Sequence, residues 1–156
     1  MSTDNKLKDV LNDLIKINND RTKGYVNAAE QAKTIDVDLQ AIFNKMADQS
    51  RKFAAALTYE VGRLGGEAAT GTSASENIHR AWMDVKVTFS GKDRQTILDS
   101  CEFGEDAAQK AYRTALGSDA EISANTRQLI TEQQESLKTS HDTIKKYRDA
   151  QKAVNA

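Results

Sequence analysis

Not one proline occurs in the 156 residues. Proline removes a backbone donor and kinks or ends helices, so its absence leaves the chain free to form long uninterrupted ones. Strands find little support, because aromatic and β-branched residues never alternate at period two over a useful length. The single cysteine, Cys101, excludes an internal disulfide framework and fits a reducing compartment. It lies in an apolar stripe, where a thiol packs as an inert core member, since a reactive thiolate needs exposure and cationic neighbours. No apolar run approaches the roughly 18 residues of a membrane span, and residues 1–19 lack the continuous apolar stretch of a secretory leader. Basic residues (22) and acidic residues (23) nearly cancel, so no polyanion, neither nucleic acid nor an anionic membrane, is an expected partner. A cytoplasmic all-α domain is the expectation.

What is present is a set of helical stripes separated by glycine-rich breaks. Leu7, Val10, Leu11, Leu14, Ile15, Ile17, Tyr25, Ala28 and Ala32 recur at helical spacing and predict a first helix over about 4–34. Asp36 or Asp38 can cap a second over 38–64, which Gly65-Gly66 closes. The run GGEAATGTSAS that follows is small and polar and reads as a surface crossover. It leads to a short amphipathic helix over 75–89 with Ile78, Trp82, Val85 and Phe89 on one face. Two more long helices are expected over 93–116 and 119–152, joined by the tight turn Gly117-Ser118-Asp119. Lys138, Lys145, Lys146, Arg148 and Lys152 crowd the last of them, where positive charge suits the helix dipole. Four long helices with short links at either end and a long crossover, carrying an additional short helix, between helices 2 and 3 make a ferritin-like four-helix bundle, a single domain over 1–156.

Several inward positions are polar. Glu105 falls in the stripe Ile97, Leu98, Cys101, Ala108, Ala111, Tyr112 and Ala115, and a carboxylate in an apolar interior demands a partner. Asn18, Arg21 and Tyr25 share the face of Leu14 and Ala28, while Gln133 and His141 interrupt the fourth helix. Counting about 1.5 Å per residue from each link puts Asn18, Arg21, the Ser50–Ala56 segment, Glu105 and Gln133 at comparable heights. A buried polar layer of Asn18, Arg21, Tyr25, Glu105, Gln133 and His141 is predicted, with Arg21 paired to Glu105.

The segments RTKGYVNAAEQA, QSRKFAAALTYEVGRLGGEAATGTSAS, IHRAWMDVK, CEFGEDAAQKAYRTAL and LKTSHDTIKKYRDA together resemble an uncharacterised bacterial four-helix-bundle family, a domain of unknown function placed in the ferritin-like superfamily. That resemblance implies the bundle fold, a bacterial cytoplasm and, by analogy with the superfamily, a stress-linked setting. Ferritin-like relatives hold two irons or manganeses between a Glu on each of two helices and Glu-x-x-His on each of the other two. Carried over residue by residue, only Glu105 matches. The one literal Glu-x-x-His, Glu76 to His79, sits on the crossover helix.

Two functions follow. The first is a non-enzymatic bundle with no catalytic residue and no cofactor, acting through its surface as a homodimer with Trp82, Met83 and Phe89, or the Gly65–Ser75 loop, at the contact; Trp82 reads equally as core cover. The alternative is a degenerate ferritin-like iron or manganese protein with Glu105, Glu102 and His141 as candidate ligands and Gln133 beside them. Other chemistry lacks its residues: there is no phosphate loop or nucleophile elbow, and Lys6 and Lys8 are diluted by Asp4 and Asp9, so no basic arm for nucleic acid forms.

Overall fold

The computed structural model describes residues 2–33, 36–72, 82 and 93–155. Four long helices account for most of them: α1 (Ser2–Ala32), α2 (Val37–Arg63), α3 (Asp93–Leu116) and α4 (Ala124–Asn155). The α2 cap is Asp36, whose extended backbone lets its carboxylate accept from the Leu39 amide at 3.0 Å. At the other end Gly65 takes a left-handed φ of +77°. Its amide donates to the Gly62 carbonyl and the Gly66 amide to the Val61 carbonyl, both at 3.0 Å, which satisfies the last free carbonyls of the helix. α4 begins only at Ala124, later than the expected 119. The cap is Ser123, which accepts from the Thr126 amide at 3.3 Å. The link is drawn out because Ala120 is buried and Ile122 packs on the core, while Asp119 turns outward to pair with Lys6.

Two apolar clusters stack along the bundle and reveal the helix directions. One joins Tyr25, Ala28 and Ala32 to Leu39 and Phe43, Ile97 and Leu98, and Ile144. The other joins Leu7 and Leu11 to Leu57 and Val61, Ala108 and Ala115, and Ile130. The first cluster thus takes the end of α1, the start of α2, the start of α3 and the end of α4, and the second takes the opposite ends. α1 and α4 run one way, α2 and α3 the other, so the chain between α2 and α3 returns from one end of the bundle to the other.

Residues 66–70 of that connection are neither helix nor strand. They are strapped to α1: the Asn12 side chain donates to the Glu67 carbonyl at 3.2 Å and accepts from the Ala69 amide at 2.8 Å, and Asn19 donates to the Gly71 carbonyl at 2.9 Å. Further on, Trp82 is buried against Tyr25, ring centroids 5.0 Å apart. A Cβ on Gly24 or on Gly104 would come within 2.2 Å of the Trp82 indole, so these two glycines, mid-helix in α1 and α3, cut the slot that admits the ring. Trp82 accordingly belongs to the chain's own core and presents no face to a second copy, which corrects its expected place at an interface. Met83, Phe89, Glu76 and His79, with the rest of the short helix expected over 75–89, lie outside the described residues.

Candidate functional site

At the waist of the bundle Arg21 from α1 meets Glu105 from α3, both essentially without exposure (0% and 1%). Nε of Arg21 donates to Oε1 of Glu105, and Nη2 reaches Oε2 at 3.4 Å, a two-pronged pairing that planar guanidinium and carboxylate geometries favour. Nη1 turns the other way, to Ser50 Oγ at 2.7 Å and the Met46 carbonyl at 3.2 Å on α2. Burial by itself lowers the Arg21 pKa, but the charge of Glu105 and its hydrogen bond outweigh that, and the net direction is upward.

From Arg21 a chain of donors runs in one direction through all four helices. Ser50 Oγ donates to Asn18 Oδ1 at 3.0 Å, Asn18 Nδ2 to Tyr112 Oη at 2.9 Å, Tyr112 Oη to Gln133 Oε1 at 2.6 Å, and Gln133 Nε2 to the Phe53 carbonyl at 3.4 Å. Between the guanidinium at the head and the Phe53 carbonyl at the end every side chain both donates and accepts, and the guanidinium polarises the rest. Burial raises the Tyr112 hydroxyl pKa well above the usual phenol range, against the lowering pull of the Asn18 hydrogen bond and the Arg21 charge. The layer is oblique, descending from Glu105 to Tyr112 along α3, seven residues or about 10 Å. Ser50, from the segment expected at this height, and Tyr112, which reads in the sequence as a core aromatic, complete it.

Tyr25 stands beside the pair, with Arg21 Cζ 5.0 Å from its ring centroid. Its buried hydroxyl makes no hydrogen bond of good geometry among the described residues, though it lies close enough to Glu105 to feel that carboxylate. Burial, then the charge of Glu105, raise its pKa, and the same two causes push the Cys101 thiol far above its ordinary range. Cys101 is therefore held as a neutral thiol and offers no nucleophile.

His141 does not join this layer. It lies eight residues beyond Gln133 on α4, about 12 Å along the axis, and is rotated toward α3. There its side chain, 19% exposed, places Nε2 2.6 Å from Asp106 Oδ1 and Nδ1 3.2 Å from Asp142 Oδ1. Glu102 completes a cluster in which the ligand-type atoms of Glu102, Asp106 and His141 all lie within 4.8 Å of one another. The Arg148 guanidinium pairs with Glu102 from α4. Of the three candidate ligands, then, Glu102 and His141 come together, and Glu105 is held apart by Arg21. Asp106, which the apolar pattern left on the outer face, is the member that sequence reasoning missed; its i,i+4 spacing from Glu102 is the signal that could have found it.

A metal pair at the waist would need several carboxylates and imidazoles converging there. The side chains present do not fit one: Glu105 is the sole carboxylate among the network members, both its oxygens face the guanidinium, and the remaining groups are neutral donors already satisfied by one another.

No described helix is long and apolar enough to cross a membrane. No curated protein matches the sequence. Residues 6–118, which contain both members of the Arg21–Glu105 pair together with Asn18, Ser50 and Tyr112, match the model of the family described as domain of unknown function DUF2383, and the chain belongs to that family.

Proposed function

We propose that this chain is a ferritin-like bundle that carries no reaction at its centre and acts through its surface. The helix directions support the ferritin-like reading, since a parallel α2 and α3 require the long crossover of that connectivity. The observation that carries the functional reading is the closed relay from Arg21 to Gln133. Ferritin-like oxidases hold metal at this level, whereas here a cation of the protein's own neutralises the one carboxylate of the network. The contact surface is the groove between α1 and α3, lined by Val10, Leu14, Ile17, Phe103, Ala107 and Ala111, with a volume of about 640 Å³. Phe103 stands 52% exposed at its edge, and Asp13, Lys16, Asp106 and Lys110 give the rim no net charge to repel a like copy. A homodimer across this groove is the expected assembly.

Light scattering across a concentration series tests it: the wild type should weigh as a dimer and Phe103→Glu as a monomer. Anaerobic loading with ferrous iron followed by exposure to air should show no oxidation dependent on Glu105. A wild-type monomer at high concentration, or iron oxidation that Glu105→Gln abolishes, would overturn the reading.

A further inference from the structure

The cluster on the flank of α3 and α4 is the one group of its kind among the described residues. Glu102 and Asp106 stand four residues apart on one helix, so both carboxylates point the same way, and His141 faces them from the neighbouring helix. Both ring nitrogens of His141 look at carboxylate oxygens. Acceptor facing acceptor needs a positive species between them, a proton or a metal ion. On the Nδ1 side the proton is the natural occupant, because Nδ1 stands 3.2 Å from an Asp142 carboxylate that Lys138 braces at 3.4 Å. A carboxylate behind Nδ1 leaves the Nε2 lone pair pointing outward, which is the arrangement by which proteins orient a ligating histidine.

We propose that Glu102, Asp106 and His141 form a site for a divalent first-row transition-metal ion such as Zn²⁺, with Asp142 orienting the imidazole and Arg148 competing for Glu102. Zinc bonds to nitrogen and oxygen at about 2.0–2.2 Å, which sets tetrahedral ligand atoms about 3.4 Å apart, so gaps of up to 4.8 Å must close by about 1.4 Å at most while the 2.6 Å between Nε2 and Asp106 Oδ1 must widen. One imidazole with two carboxylates suits zinc and its neighbours better than calcium or magnesium, which prefer oxygen alone. Entry in the single chain is from the Asp106 side, where that carboxylate is 63% exposed; Asp106 also stands on the rim of the α1–α3 groove, so a dimer formed there narrows this approach. When the ion binds, the proton shared between Nε2 and Asp106 is released to solvent and the Nε2 lone pair takes the metal, and Glu102 exchanges the Arg148 guanidinium for it. On α3 the site is level with Glu105, which lies between Glu102 and Asp106 in the sequence, but its ion pairs run to Arg148 and Asp142 and not to members of the polar layer.

Calorimetric titration of the full chain with Zn²⁺ tests this, with imidazole proton resonances followed in parallel. The sequence has only two histidines, so His141→Ala assigns the signals directly. The wild type should bind one ion per chain with a shift of the His141 resonance, and excess Mg²⁺ should not displace it. His141→Ala should lose binding, and Asp142→Asn should weaken it about tenfold or more. Arg148→Gln should tighten binding, because it frees Glu102. That gain is an outcome a merely structural cluster would not produce, and it does not depend on a ligand variant keeping its fold. Failure of the wild type to bind stoichiometrically, undiminished binding by His141→Ala, or no gain from Arg148→Gln would overturn the proposal. The dimer and iron experiments above can fail without touching it.

Discussion

Arg21 and Lys6 stand on the same helix, about four turns apart, and each pairs with a carboxylate from the second half of the chain. Lys6 reaches Asp119 at 2.8 Å with both side chains largely in water, 53% and 83% exposed. Arg21 meets Glu105 where neither has any contact with water. The chemistry is alike and the environments are opposite. In water the Lys6–Asp119 attraction is screened and offset by the entropy of holding two mobile chains, so it adds little. Inside, each charge of the waist pair has surrendered its hydration, and the fold tolerates one only because the other is present. The buried pair therefore sets a condition on how α1, α2 and α3 can pack, and the surface pair follows from packing settled elsewhere.

The sharpest test of that contrast is Glu105→Ala, which strands a guanidinium in the core and should cost about 3–5 kcal/mol in urea unfolding. The double replacement Arg21→Met with Glu105→Leu should recover most of the loss, because what is costly is the unpaired charge. If the single variant unfolded like wild type, the distinction between inside and outside would be lost. Next in size is steric rather than charged. Gly104→Ala drives a methyl into the Trp82 ring and should destabilise by about 1–3 kcal/mol, whereas Gly62→Ala, with open space around it in α2, should stabilise by roughly 0.5–1 kcal/mol. Tyr112→Phe removes one hydroxyl from the relay, leaves Asn18 and Gln133 without their partner, and should cost about 1–3 kcal/mol.

Alkaline pH probes the same interior. The pKa values of Cys101, Tyr25 and Tyr112 are all raised in the fold, chiefly by burial, so the unfolded chain releases these protons first. Their contribution is complete below about pH 8.5, where an unfolded cysteine begins to ionise, and is lost progressively as pH climbs toward the folded values. Urea midpoints should fall across that range, and Cys101→Ala should flatten the earliest part of the decline. Smallest of all, Lys6→Ala should leave the thermal midpoint where it is, at low salt and at high.

Much of this was legible in the chain. The α1, α2 and α3 stripes, the Asp36 cap and the Gly65 stop declare themselves through local spacing and local backbone preference. Glu105, Arg21, Asn18 and Gln133 stand out for a related reason, since a polar residue on an apolar face is visible wherever the helical period is visible. Other features escaped that kind of reading. Tyr112 looks like an ordinary core member until a neighbouring helix aims a polar atom at it, and only the height of the Ser50–Ala56 segment, not the role of Ser50 in it, could be counted from the chain. His141 sits on the edge of the α4 stripe, and only the pairing of α4 with α3 shows that it looks sideways at Asp106 and Glu102. Trp82 reads equally as surface or core until Gly24 and Gly104, two glycines that break no helix, are found on either side of its ring.

Sequence by itself determined that the chain would make long helices and that charge would lie on an inward face, because helical period and capping depend on residues within a turn or two of one another. Tertiary structure alone decided which helix would answer each polar group: a guanidinium rather than a second carboxylate beside Glu105, two carboxylates rather than the polar layer beside His141. Those choices rest on the height and rotation of one helix against another. Such quantities arise only when apolar faces pack together, and no local pattern encodes them.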